Sequence, residues 1–322
     1  MKKLVIAAGI AVGIAFGVPA IAQTKPTIPV IVKDMTSPYW QAVLAGARQA
    51  GQELGVNVVG LGAQSESDVS GQISILAKAI ASNPAAIVIA PAQFTALGKP
   101  IDEAAKKVKI IGIDSAADTK AMTSLLATDN LNAGGIAADA LAVAITKSYA
   151  DTEGDIAIIT SMPGVASLDQ RAKGFKETLA AKYGALDIVA EKVADGKPAT
   201  ALDIMNDVIA KNRDLRGVFV SDPIMAQAVG QAVSDQTPGD YIRINVVAVG
   251  SDEKLVKLLQ DGVISGLVVE DPFRMGYDGV KTALAASKGE RVAAIIDTGA
   301  TLVTKANISS PRSQELLNPK IK

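Results

Sequence analysis

From Ile28 onward the chain repeats one unit: a short β-branched run, then a longer stretch with apolar residues at helical spacing. Ile28–Val32 predicts a strand. Pro38–Leu54 predicts a helix, with proline in its first turn and Gly55 closing it. Strands follow at Val56–Gly60, Ala86–Ile89 and Lys109–Ile113. Between the first two lies a helical pattern over Ser67–Ser82, marked by Val69, Ile73, Leu76 and Ile80. The second half continues alike. Strands are expected at Asp155–Ile159, Ile188–Val193, Gly217–Val220, Val246–Val249 and Val263–Val269. Helices are expected at Leu168–Tyr183, Ala199–Lys211, Pro223–Ser234, Glu253–Gln260 and Met275–Ser287. Continuous apolar strands alternating with helices mean a parallel sheet covered on both faces.

About ten such units exceed what one compact doubly wound domain of usual size holds. Two lobes are the natural solution, and a closed (β/α)₈ barrel is the rival that alternation leaves open. With 322 residues there is enough chain for two cores.

The first residues follow a different grammar. Lys2 and Lys3 precede an uncharged, mostly apolar run from Leu4 to Val18, and Ala20-Ile21-Ala22 supplies a small-x-small pattern. This reads as a secretory signal peptide over residues 1–22, cleaved after Ala22. The rival is a membrane anchor, for which an apolar run of about 15 residues is short against the ~20 that a span needs. The expectation is therefore a soluble mature protein outside the cytoplasm.

The chain contains neither cysteine nor histidine. Disulfides, thiolate nucleophiles and cysteine metal sites are excluded, as are the commonest general base and the commonest metal ligand. A formal net charge of −1, without a long run of like charge, gives no nucleic-acid footprint. Gly60-Leu61-Gly62 lacks the remainder of a dinucleotide fingerprint, and no Walker loop is present. No cofactor and no metal are implied.

In open parallel sheets, ligands gather beyond the carboxyl ends of the strands. Four predicted strands are followed there by a carboxylate: Asp114, Asp222, Asp252 and Glu270. An ionised carboxylate accepts from two neighbouring hydroxyls at once, each charge-assisted bond contributing ~1.5–3 kcal/mol. Any one aspartate could instead be a helix N-cap. Aromatics make up only 3 % of the chain, so the pair Tyr39-Trp40 after the first strand is informative. Its rings suit the C–H face of a sugar, or else Trp40 packs in the core. Arg171 offers five fixed donors to ligand oxygens or to pocket carboxylates.

These stretches together resemble the periplasmic sugar-binding proteins of the ribose-binding type. Ser37-Pro38-Tyr39-Trp40 is similar to that family's polar-Pro-aromatic-aromatic loop. Thr128-Asp129-Asn130, with Gly134-Gly135, is similar to its crossover into the second lobe. Arg171-Ala172-Lys173-Gly174-Phe175 is similar to its R-x-x-G-F helix, and Val249-Gly250-Ser251-Asp252 to its strand-Gly-x-Asp turn. Gly262-Val263-Ile264 resembles the step before its last hinge strand.

The resemblance implies a periplasmic binding protein type I fold, two doubly wound parallel-sheet lobes joined by a three-strand hinge. It implies an N-terminal lobe of residues 26–128 plus 271–297, and a C-terminal lobe of residues 129–270 plus 298–322. It implies that Tyr39 and Trp40 stack on the ligand, and that Asp114, Arg171, Asp222, Asp252 and Glu270 hydrogen-bond it. Lys33, Ser37 and Thr128 are further ligand-binding candidates. The sequence departs from the pattern at Ser115, where an arginine is common, and at Asp222 and Glu270, where amides are usual. The implied function is capture of a sugar or sugar alcohol by a monomer, which hands it to the membrane permease subunits of an ABC importer. An amino sugar is the competing ligand. An extracellular carbohydrate-active enzyme is the competing class, with Asp114 and Asp252 as its carboxylate pair. A sugar-responsive repressor would need a DNA-binding module where the signal peptide stands.

Overall fold

The computed structural model describes residues 25–236 and 243–318. The expected signal peptide over residues 1–22 lies outside the described residues.

Two open six-stranded sheets replace the barrel alternative. The first contains β1 (Thr27–Asp34), β2 (Asn57–Ala63), β3 (Ala86–Ile89), β4 (Lys109–Ile113) and β5 (Ser124–Ala127). The second contains β6 (Gly154–Thr160), β7 (Leu186–Val193), β8 (Leu215–Val220), β9 (Asn245–Val249) and β10 (Gly266–Glu270). Two late strands, β11 (Ile295–Asp297) and β12 (Ala300–Val303), each add an edge, giving the orders β11-β5-β4-β3-β1-β2 and β12-β10-β9-β8-β6-β7. All pairings are parallel except β10 with β12.

Each sheet is covered on both faces, as its apolar strands require. Helices α1 (Pro38–Leu54) and α9 (Pro272–Ser287) cover one face of the first sheet, and α2 (Val69–Ala81) and α3 (Phe94–Ala105) the other. On the second sheet, α4 (Asn130–Tyr149) and α5 (Ala166–Lys182) lie opposite α6 (Pro198–Lys211), α7 (Pro223–Ser234) and α8 (Glu253–Asp261). A last helix, α10 (Pro311–Leu317), packs its Leu316 into the second lobe.

The two lobes use the same device to seat the helices that carry the site. In the α1–α9 pair, a Cβ on Gly46 would overlap the Phe273 carbonyl, and one on Gly276 would overlap that of Val43. In the α4–α5 pair, Gly134 faces the Arg171 carbonyl and Gly174 that of Leu131, with equally little room. Backbone thus packs on backbone in both pairs.

The chain passes between the sheets three times, at residues 128–129, 271 and 298–299. Polar contacts stitch these passages together. Asp297 Oδ1 accepts from the amides of Asp129 at 3.1 Å and Gly299 at 2.8 Å. Thr128 Oγ1 donates to the Gly299 carbonyl at 3.2 Å, and Arg312 Nη2 reaches Asp271 Oδ2 at 3.2 Å.

Several elements differ from the expected spans. The strand expected over Val263–Val269 starts at Gly266, because Gly262 in the left-handed region (φ 83°) closes α8 and residues 263–265 form the turn. Helix α5 starts two residues earlier than expected and α9 three. Helices α3, α4 and α10 and strands β5, β11 and β12 add to the expected set.

Candidate functional site

The carboxyl ends of both sheets point at one cavity of about 50 Å³. It is lined from the first lobe by Lys33, Ser37, Tyr39, Trp40, Glu66 and Asp114. The second lobe supplies Ser161, Val165, Ser167, Leu168, Arg171, Asp222, Pro223, Ile224 and Glu270. A wider mouth of about 220 Å³ continues outward past Asp34, Gln64, Gln227, Ser251 and Asp252.

Lys33 and Asp114 form the first-lobe wall. The β1–β2 register slips between Val32 and Asp34, so Lys33 sits at a bulge, a device that re-aims a side chain. Asp114 follows β4 directly and has φ 63°, a left-handed conformation that aspartate tolerates better than most residues. The Ser115 amide donates to the Ile113 carbonyl at 2.7 Å, closing a tight turn around Asp114. Lys33 Nζ lies 2.6 Å from Asp114 Oδ2 and donates to Ser115 Oγ at 3.1 Å. Asp114 Oδ1 accepts from the Tyr39 hydroxyl at 3.2 Å. Burial pushes the Asp114 carboxyl up, but the charges of Lys33 and Arg171 outweigh it and hold the group below its usual range.

The aromatic pair stands at the start of α1. Tyr39 and Trp40 meet edge to face, with centroids 4.8 Å apart and planes at 84°. Trp40 is 2 % exposed and packs with Val43, Val32 and Met275, yet its ring also walls the cavity. The core reading of Trp40 therefore holds, and the ring also lines the cavity. Its Nε1 donates to Glu66 Oε1 at 2.6 Å, and Lys33 Nζ lies 5.5 Å from its ring centroid. Burial, and then the negative charges of Glu270 and Asp114, push the Tyr39 hydroxyl well above its ordinary value, so it remains a donor. Burial likewise raises the Glu66 carboxyl, against the opposing pull of Lys33 and the Trp40 hydrogen bond.

Arg171 anchors the second-lobe wall. Its Nε donates to Asn130 Oδ1 at 2.8 Å, Nη1 to the Ser221 carbonyl at 3.0 Å, and Nη2 to Glu270 Oε1 at 2.6 Å. The close α4–α5 crossing brings Asn130 and Arg171 together. Burial raises the Glu270 carboxyl and the Arg171 charge only partly offsets it. Asp222 caps α7, accepting from the Met225 amide at 3.0 Å, and burial raises its carboxyl as well.

The structure brings together Lys33, Ser37, Tyr39, Trp40, Asp114, Arg171, Asp222 and Glu270. Thr128 and Asp252 do not line the inner cavity, although the Thr128 side chain hydrogen-bonds Glu270. Thr128 is tied to Gly299 and Thr298 at the passages between the lobes. Asp252 caps α8 through the Leu255 amide, accepts from Gln227 Nε2 at 2.5 Å, and lines only the mouth. The N-cap alternative thus describes Asp222 and Asp252 but not Asp114 or Glu270. Sequence reasoning missed Glu66, Ser161 and Ser167. Glu66 and Ser161 follow β2 and β6, so the strand-end rule could have found both once those strands were correctly bounded.

Comparison with known proteins gives consistent matches. The family model described as a periplasmic binding protein domain matches residues 28–291. A carbohydrate transporter solute-binding protein from Agrobacterium radiobacter, solved in complex with D-arabinose, is 57 % identical. It superposes with a TM-score of 0.89, covering 92 % of this chain and all of that one. An ABC transporter solute-binding protein from Agrobacterium vitis with bound D-fucose is 32 % identical, with a TM-score of 0.83 over 90 % of this chain and 99 % of that one. The ribose import binding protein of Salmonella typhimurium is 25 % identical over 306 residues, 95 % of this chain and 99 % of that protein. With its two doubly wound lobes and the cavity between them, the chain belongs to the periplasmic binding protein family.

Proposed function

We propose that this protein captures a single neutral sugar or sugar alcohol between its lobes and delivers it to the permease subunits of an ABC importer. The observation that carries this reading is the pair of buried ion pairs facing the cavity, Lys33–Asp114 from one lobe and Arg171–Glu270 from the other. Each pair holds a carboxylate in a fixed orientation beside a cation, so a ligand hydroxyl finds an acceptor on one side and a donor on the other. The Tyr39-Trp40 rings supply the apolar face that a sugar's C–H groups need. Both cations already balance a carboxylate, and burial raises the Glu66 and Asp222 carboxyls toward their neutral forms, so the cavity does not require a charged ligand. The inner cavity and the mouth that continues from it together suit one monosaccharide-sized molecule.

Binding bridges the lobes and stabilises their closed arrangement. A few charge-assisted bonds plus ring contact support a micromolar dissociation constant, about −8 kcal/mol. We place the protein in the periplasm as a monomer, after cleavage of residues 1–22. The family match and the signal-like N-terminus support that location. Among the described residues no helix is long and apolar enough to cross a membrane.

Because a 57 % identical relative holds D-arabinose, that pentose is the first ligand to test. Isothermal calorimetry against D-arabinose, other pentoses, hexoses, alditols and amino sugars tests the proposal, with Trp40 fluorescence as an independent readout. Saturable binding of one neutral member with a change in Trp40 emission is expected. Heat and emission both flat across the panel would sink it.

A further inference from the structure

We propose that two direct hydrogen bonds between the lobes, independent of any ligand, form a latch that sets how much of the protein is closed before ligand arrives. The first runs from the Phe94 amide in the first lobe to the Gly164 carbonyl in the second, at 2.8 Å. The second joins Ser115 Oγ to Ser167 Oγ at 2.8 Å, both side chains being buried.

Each bond uses a group whose partner is missing when the lobes part. Phe94 is the first residue of α3, and the first amides of a helix have no partner inside it. Gly164 presents its carbonyl from the loop between β6 and α5 with φ 74°, a conformation that glycine adopts without strain. The fit is close, since a Cβ there would stand 2.7 Å from the Gln93 side-chain amide. Ser115 also accepts from Lys33 Nζ, and either serine hydroxyl can be the donor in its contact with Ser167. Ser167 lies one helical turn before Arg171 on α5, which connects the Lys33–Asp114 pair to the helix carrying the opposite ion pair.

The consequence is quantitative. When only the closed form binds fully, apparent affinity is the intrinsic affinity scaled by the closed fraction. Phe94 and Gly164 then act on binding as positioning groups without touching the ligand; neither lines the cavity or its mouth. Weakening the latch lowers affinity for every ligand by one common factor. Losing a ligand contact instead changes the order of preference.

Phe94→Pro isolates the effect. Proline is favoured at the first helical position, and Gln93 before it is already extended (φ −150°, ψ 133°), so the helix start is preserved while the amide donor is removed. Phe94→Ala removes the ring and keeps the donor. This inference rests on lobe closure in the proposed function, so the first measurement uses no ligand. Small-angle scattering of the ligand-free protein should show a larger radius of gyration for Phe94→Pro than for wild type or Phe94→Ala. Calorimetry with D-arabinose and any other sugar that binds should show about 3- to 10-fold weaker affinity for Phe94→Pro, uniform across ligands, from loss of one hydrogen bond. The latch is overturned if the three ligand-free proteins scatter alike, or if Phe94→Pro re-ranks the ligands. If no sugar binds wild type but the scattering difference appears, the latch stands and the proposed ligand class fails.

Discussion

Lys33 and Asp114 meet at 2.6 Å with both side chains almost fully buried, one from a bulge in β1 and the other from a left-handed residue after β4. Breaking a buried pair by removing one partner leaves an uncompensated charge, at ~3–5 kcal/mol. Lys33→Met and Asp114→Asn should each lower urea stability by about 3 kcal/mol, and Asp114→Asn should weaken sugar binding about 10- to 100-fold. The double variant should lose less stability than the singles combined. Additive losses would show that the pair is not coupled.

The pH dependence has a definite sign. Burial raises the Glu66, Asp222 and Glu270 carboxyls in the native state. Above the unfolded glutamate value of about 4.3, and up to the raised native value, the folded protein holds protons that the unfolded chain has released. Stability should therefore fall as pH rises through that window. Asp114, held low, acts oppositely, and its contribution disappears only as pH falls through its depressed value. Glu66→Gln keeps an acceptor for Trp40 Nε1 and removes one titrating group. Melting temperatures measured across a pH series that starts near the unfolded glutamate value of about 4.3 and rises through the window should give a flatter curve for Glu66→Gln. An unchanged curve would remove Glu66 from this account.

Asp252 sits at the mouth as a helix cap. Asp252→Ala should cost about 1 kcal/mol of stability, as lost caps do. It should weaken sugar binding less than Asp114→Ala does. Calorimetry on both variants ranks them, and an equal loss would move Asp252 into the inner site.

Gly174 is a test of how α4 and α5 hold Arg171. Its Cβ would overlap the Leu131 backbone, which cannot swing aside as a side-chain tip can. Gly174→Ala should destabilise by about 1–3 kcal/mol or more and weaken binding by displacing Arg171 from Asn130 and Glu270. Gly184→Ala, where nothing lies within 4 Å, is the control. Thermal melts and calorimetry on the two variants decide the matter.

Asp114, Asp222 and Glu270 were legible because buried parallel strands are strongly patterned and their ends aim at one place, whereas Arg171, inside α5, was marked by its guanidinium donors and by the R-x-x-G-F resemblance. Glu66 was not legible. Glycines at 60 and 62 made β2 read as ending at Gly60, whereas pairing with β1 carries it to Ala63. Helix α4 was hidden because its buried face is built largely from alanine and glycine, Ala133, Gly134, Ala137 and Ala138, which contrast little with its outer face. Helix α3 carries Pro100 in its interior, a residue that reads as a stop. Strands β11 and β12 have three and four residues, and sheet neighbours from elsewhere in the chain define them. The partition of roles, with Thr128 joining the lobes and Asp252 at the rim, is a property of side-chain placement that spacing does not encode.

The first lobe takes its covering helix α9 and its edge strand β11 from the far end of the chain, and α9 meets α1 where Gly46 and Gly276 touch the opposite backbones. A ribosome-bound or truncated fragment lacking residues after 271 therefore leaves the apolar face of α1 without its cover. Contacts of such long sequence separation slow folding. The first lobe therefore cannot complete its core until residues 272–297 have been made, so its assembly comes late in synthesis.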